Sequence, residues 1–183
     1  MKKLYSIFLF VCLLSKVSAT EYSDSLYFVH ANSFIKEVYG EKLKLPRLVL
    51  VDQPKFGCDF RYTDTTLFSS EELIAIKDQI KNPRIKSWNK FLKPKKNFIG
   101  RDSINNIFKN EYLRLYNGWA YFRKFVGSEI NNISAPIFLR DYQYCLFYND
   151  YVCDFKCGSG VLKLYKREDN HWVEVKEICS WIS

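Results

Sequence analysis

The sequence predicts an α+β domain, with N-terminal helices packed on a mostly antiparallel sheet that ends in a three-stranded meander. Three observations carry this. Apolar residues recur at helical spacing in the first half, notably after Ser69. A short β-prone run, Leu48-Val49-Leu50-Val51, lies between Pro46 and Pro54. Residues 142 to 182 hold three runs dense in Tyr, Phe, Leu, Val and Trp, separated by short polar or glycine-containing loops.

In chain order, the first feature is not part of the fold. Lys2 and Lys3 precede an apolar run from Leu4 to Leu14, and Val17-Ser18-Ala19 offers small residues to a signal peptidase. The run is shorter than the ~20 residues a membrane-spanning helix requires. Residues 1–19 are therefore expected to be a signal peptide cleaved near Ala19, and 20–183 a single domain in the periplasm or medium. Loss of Lys2, Lys3 and Lys16 takes the formal net charge from +8 to +5. With 48% hydrophobic and 17% aromatic residues, the remainder has globular composition.

Residues 22 to 39 read as a helix, with Ser23 and Ser25 as candidate caps. Phe28, Ala31, Phe34, Ile35 and Val38 form its inner face, and Gly40 its stop. Ser69 and Glu72 match a capping box, with Leu73, Ile76 and Ile80 facing inward and Pro83 ending the helix. A helical region at 103 to 110 buries Ile104, Ile107 and Phe108, whereas 111 to 126 fits helix or strand equally. Strands are expected at 142 to 152, at Val161 to Tyr165 and at His171 to Ile182, with a turn at Arg167-Glu168-Asp169-Asn170. On the last strand Val173 and Val175 alternate with Glu174 and Lys176, which predicts one covered face and one wetter face.

After signal cleavage five cysteines remain: Cys58, Cys145, Cys153, Cys157 and Cys179. An exported chain tends to oxidise them, and an odd number leaves one free or paired to another chain. In Cys153-Asp154-Phe155-Lys156-Cys157-Gly158-Ser159-Gly160 the glycines suggest a tight path at positive φ. A first hairpin centred near 156 or 157 would set position 153 against 160, and a second centred near 169 or 170 would set 160 against 179. That register puts Cys179 at the same end of the meander as Cys153 and Cys157, with Cys145 at the opposite end. Three roles fit these thiols: a disulfide that pins the loop, a redox-active pair, or a metal site formed by Cys153, Cys157 and Cys179. The redox role usually needs C-x-x-C at a helix start, and no fourth metal ligand is evident.

The same stretch resembles a group of uncharacterised exported bacterial proteins. In these an aromatic-rich strand enters a C-G-x-L-C-G-x-G loop, a second strand and a turn follow, and a Trp-containing strand ends in Trp, an aliphatic residue and Ser. Pro136-Ile137-Phe138, Tyr144 to Tyr151, Cys153 to Gly160, Val161 to Lys166, His171-Trp172-Val173 and Trp181-Ile182-Ser183 carry the likeness. Asp154 and Lys156 depart from it. The resemblance implies fold and export and carries no chemistry.

No phosphate-binding or dinucleotide glycine loop, H-E-x-x-H or EF-hand loop is present, so no metal or cofactor is expected. His30 and His171 lack any local catalytic signature, and Asp59, Asp64, Glu71 and Glu72 read as acids of a loop and a helix start. Residues 81 to 101 hold eight cations and no acid: Lys81, Arg84, Lys86, Lys90, Lys93, Lys95, Lys96 and Arg101, interleaved with Trp88, Phe91 and Phe98. This creates a positive local field with aromatic surface in it. Export argues against nucleic acid as the partner and favours an anionic envelope polymer, a membrane surface or another protein. The expected function is thus a non-enzymatic binding or interaction module of the cell envelope, with Lys90, Lys93, Lys95, Lys96, Trp88 and Phe91 as its ligand-binding residues. The alternative is a thiol-dependent redox protein or enzyme using Cys153 and Cys157.

Overall fold

A computed structural model of the chain describes residues 24–58, 66–92, 97–109 and 117–183. Residues 1–19, expected to be a signal peptide and holding Cys12, lie outside the described residues, as do Ser23, Asp59, Asp64, Lys93, Lys95 and Lys96.

The fold is α+β. In chain order the described elements are α1 (24–38), α2 (Gly40–Leu43), β1 (Leu48–Val51), α3 (Ser70–Lys81), α4 (Trp88–Leu92) and β2 (Asn97–Ile99). They continue with α5 (Arg101–Lys109), α6 (Gly118–Phe125), β3 (Glu129–Ile133), β4 (Ile137–Leu139), β5 (Tyr144–Asp154), β6 (Cys157–Glu168) and β7 (His171–Ile182). Seven described strands form one mixed sheet in the order β2-β1-β3-β5-β6-β7, with β4 added beside β5. β1 runs parallel to β2 and β3, and the other pairings are antiparallel. The four residues of β1 are all buried, as suits a parallel strand covered on both faces.

Alternation along the strands divides the core. One face of the sheet presents Leu48, Leu50, Ile133, Cys145, Phe147 and Tyr165 to α1 and α4, through Tyr27, Ala31, Phe34, Ile35 and Trp88. Burial raises the Tyr165 hydroxyl to about 12, so this ring stays neutral in the layer. The opposite face is covered in two patches. Ile76 of α3 packs on Leu146, Tyr148, Leu162 and Leu164. Ile107, Trp119 and Phe122 of α5 and α6 pack on Val49, Val51, Ile99 and Ile130.

Several elements follow the sequence signals closely. The capping box of α3 is complete, with Ser69 Oγ accepting from Glu72 N and Glu72 Oε2 accepting from Ser69 N. Asn117 caps α6, which makes the ambiguous stretch helical from Gly118. Asp169 and Asn170, at φ 47° and 66°, form the two-residue turn between β6 and β7 that suits the twist of paired strands.

Others differ. The buried face of α1 uses Tyr27 where Phe28 was expected, and Phe28 is 39% exposed. Gly40 does not stop the chain in a turn but opens α2. β6 begins at Cys157, so Gly158 and Gly160 are strand residues, and no glycine among the described residues has positive φ. They are small for another reason. A Cβ on Gly160 would overlap the Trp181 indole and lie 2.7 Å from Tyr148 Oη, and one on Gly158 would meet the same indole at 3.3 Å. The two glycines and the terminal Trp181 are thus parts of one packing unit.

The predicted register shifts as well. Gly160 pairs with Asp150 and Trp181, and Cys179 pairs with Leu162. Irregularities at Val152/Asp154, Leu162/Lys163 and Leu164/Tyr165 displace the strands from uniform hairpins. Most of β7 is exposed, including Val173 and Val175, so its alternation does not give one covered face; Ile178 and Cys179 pack inward. β7 is an edge strand, and such irregularities discourage edge-to-edge pairing.

The link from β4 to β5 holds Arg140, Asp141 and Tyr142 at φ 50°, 50° and 62°, a left-handed run costly for non-glycine residues. Side chains lock it. Arg140 donates to both Glu72 carboxylate oxygens and to Leu67 O, and Tyr142 stacks on His30 at 4.3 Å. The Arg140 hydrogen bonds hold the Glu72 carboxyl below its ordinary 4.5. The folded state therefore binds this proton less readily than the unfolded chain. The pair contributes fully above pH 4.5, and its contribution is lost as pH falls through the lower folded value. Urea midpoints from about pH 6 to about pH 3 should show this acid loss, with a shallower slope in Arg140→Gln.

Candidate functional site

The basic stretch folds back onto the sheet. Asp52, just after β1, accepts from Ser87 Oγ at 2.8 Å and from Asn89 N at 2.8 Å, while Ser87 Oγ accepts from Lys90 N. These bonds cap α4 and fix the path of residues 84–92. Trp88 is fully buried, with its Nε1 donating to Ile133 O. It is a core anchor, which corrects its assignment as a ligand-binding aromatic. Phe91 lies half-buried between Trp88 at 5.8 Å and Phe28 at 6.0 Å.

Burying Trp88 turns the flanking cations outward. Phe28, Arg84, Ile85, Lys86, Ser87, Lys90 and Phe91 line an open groove of ≈ 400 Å³. Lys86 and Lys90 are exposed, and neither has an ion-pair partner among the described residues. Arg84 is held in place, with Asp24 at 3.4 Å and the Tyr27 ring at 5.0 Å. Lys93, Lys95 and Lys96 follow α4 directly, outside the described residues. Phe28 is the groove residue that the sequence reading assigned to the core. Its neighbour Tyr27 was the available signal, since a one-residue rotation of the helical pattern exchanges the two.

The cysteines do not converge. Cys153 and Cys157 form a disulfide across the β5–β6 turn, with Cα atoms 5.2 Å apart. Cys179 pairs with Cys58, with Cα atoms 6.5 Å apart. A metal site of Cys153, Cys157 and Cys179 is therefore excluded by their bonding. Cys145 is free and fully buried, and burial raises its thiol well above the usual value, so it stays protonated and inaccessible. The leftover cysteine is thus not poised to bridge chains. Two disulfides fit an oxidising compartment. No helix among the described residues is long and apolar enough to cross a membrane.

The histidines are apart from these thiols. His30 stacks on Tyr142, and desolvation, then Arg167, keep it below its ordinary 6.5. His171 is 79% exposed beside Glu37 at 3.4 Å.

A buried polar network went unread in the sequence. Asp150, 1% exposed, accepts from Lys55 Nζ at 2.8 Å, Tyr148 Oη at 2.9 Å and Asn132 Nδ2 at 2.6 Å. Trp181 Nε1 donates to Tyr148 Oη at 2.9 Å, which extends the network to the edge strand. Burial raises the Tyr148 hydroxyl, keeping it a donor to Asp150. In sequence Asp150 lies within the strand expected at 142 to 152, and nothing local marks its side chain as buried.

Compared with protein-family models, with curated proteins and with solved structures, the chain matches none. The functional reading therefore rests on this chain's own residues.

Proposed function

We propose that the protein is an exported, non-enzymatic module that binds an anionic polymer of the cell envelope in the groove beside α4. The observation that carries the reading is the pair Lys86 and Lys90, exposed beside the rings of Phe28 and Phe91 and without ion-pair partners among the described residues. An unpaired ammonium attracts phosphate or carboxylate, and adjacent aromatic faces pack on the apolar sides of sugars. Lys93, Lys95 and Lys96 lengthen the basic track in sequence. The signal sequence and the two disulfides support an extracytoplasmic location.

Such binding is electrostatic and weakens as salt rises. Titration of the mature protein with isolated anionic envelope polymer should give an affinity that falls steeply between low and physiological salt. Vesicles of anionic lipid and an acidic protein serve as the comparison partners. Equal binding to a neutral polymer, or none to the anionic one, contradicts the reading.

A further inference from the structure

We propose that a second site, on the sheet face opposite the groove, binds a small amphiphilic anion: a carboxylate or phosphate carried on a short apolar body. The site is a cleft of ≈ 330 Å³ lined by Val51, Lys55, Arg101, Ile104, Asn105, Ile130, Asn132 and Val152. That volume falls within the roughly 300–1,000 Å³ of small-molecule sites.

Its position follows from topology. Val51 is the last residue of β1, and Ile130 and Asn132 belong to the parallel neighbour β3. β2 ends beside Val51 and leads through Gly100 into α5, which supplies Arg101, Ile104 and Asn105. A Cβ on Gly100 would meet nothing within 4 Å, so this edge is open. In open sheets, ligands bind in the crevice outside the carboxyl ends of parallel strands.

The lining divides by chemistry. Val51, Ile104, Ile130 and Val152 supply an apolar floor, and among the described residues the charged groups of the rim are Lys55 and Arg101. The acid behind Lys55 is Asp150, which is buried and already accepts three hydrogen bonds. Asp150 thus aims Lys55 without presenting a negative charge to the cleft. An ammonium has three donors, and Asp150 accepts one from Lys55. Arg101 is exposed and has no ion pair among the described residues. Asp102, the next acid on α5, lines the adjoining depression, which shares Asn105 with the cleft and also holds Asn106 and Lys109. The rim therefore suits an anionic head group, with the apolar tail against the floor.

The test is titration of the mature 15N-labelled protein, followed by NMR, with hexanoate and hexyl phosphate, and with hexanol and hexylamine as head-group controls. Saturable shifts at Val51, Lys55, Ile104 and Ile130 with either anion are expected, and the tighter of the two identifies the head group. Arg101→Glu should weaken the anion at least about tenfold, since a hydrogen bond to a charged group is lost and repulsion added. Lys86→Gln with Lys90→Gln should leave it unchanged, which separates this site from the groove. No saturation with either anion at millimolar concentration, equal saturation by hexanol, or an unchanged affinity in Arg101→Glu overturns the proposal.

Discussion

Replacing Cys58 and Cys179 together by serine should lower the free energy of unfolding by roughly 5 kcal/mol, against roughly 2 kcal/mol for the Cys153 and Cys157 pair. The difference is one of loop length. The first bond joins residues 121 apart and removes much of the freedom of the unfolded chain, whereas the second closes a separation of 4. The long bond also clamps the segment after β1, which carries Lys55, against the edge strand β7. A domain's whole stability is about 5–15 kcal/mol, so its loss takes a large share. Urea denaturation of the two double-serine variants measures this directly. Equal losses would show that unfolded-state entropy is not what the long bond supplies. A loss of that size would suit a protein that works in an oxidising compartment.

Asp150→Ala should cost about 3–5 kcal/mol. The carboxylate is buried and accepts from three donors, so its removal strands Lys55 Nζ, Asn132 Nδ2 and the Tyr148 hydroxyl at once. Lys55 is 36% exposed and can turn to water, but Asn132 and Tyr148 are buried and cannot. Asp150→Asn keeps the shape and one acceptor and should cost less. Trp181→Phe should cost less still, since it removes one donor at the outer end of the chain, worth about 1 kcal/mol. Chemical denaturation orders the three variants. An alanine variant within about 1 kcal/mol of the parent would show that the network contributes little net stability.

What could be read from the sequence was local chemistry. The capping box of α3, the Asp169-Asn170 turn, the buried run of β1 and the apolar face of α5 depend on residues close in the chain. What could not be read was set by distant partners. β3, with the sequence Glu-Ile-Asn-Asn-Ile, lacks a strand pattern because Asn131 and Asn132 are buried by bonds to Tyr39, Val49 and Asp150. Gly158 and Gly160 resembled turn residues because nothing local announces that an indole from β7 occupies the space beside them. The register at Gly160 differs by three residues in the first hairpin and by two in the second, where irregularities shift the ladder. In the candidate groove, Lys90 and Phe91 were legible from composition. Trp88 was not, since its indole donates to a carbonyl on β3 far along the chain. The Cys58–Cys179 bond was hidden for the same reason, being 121 residues in span.

The proposed function assigns the binding of an anionic envelope polymer to the exposed cations beside α4. Its most direct test is the affinity of mature Lys86→Gln/Lys90→Gln for that polymer, beside a control pair neutralised on another face, Lys109→Gln/Lys176→Gln. Both pairs remove two charges, so net charge alone predicts equal losses. The groove reading predicts a loss of about tenfold or more at low salt in the first pair, little change in the second, and a shallower salt dependence in the first alone. Equal affinities in the two variants, or an unchanged affinity in the first, would contradict it.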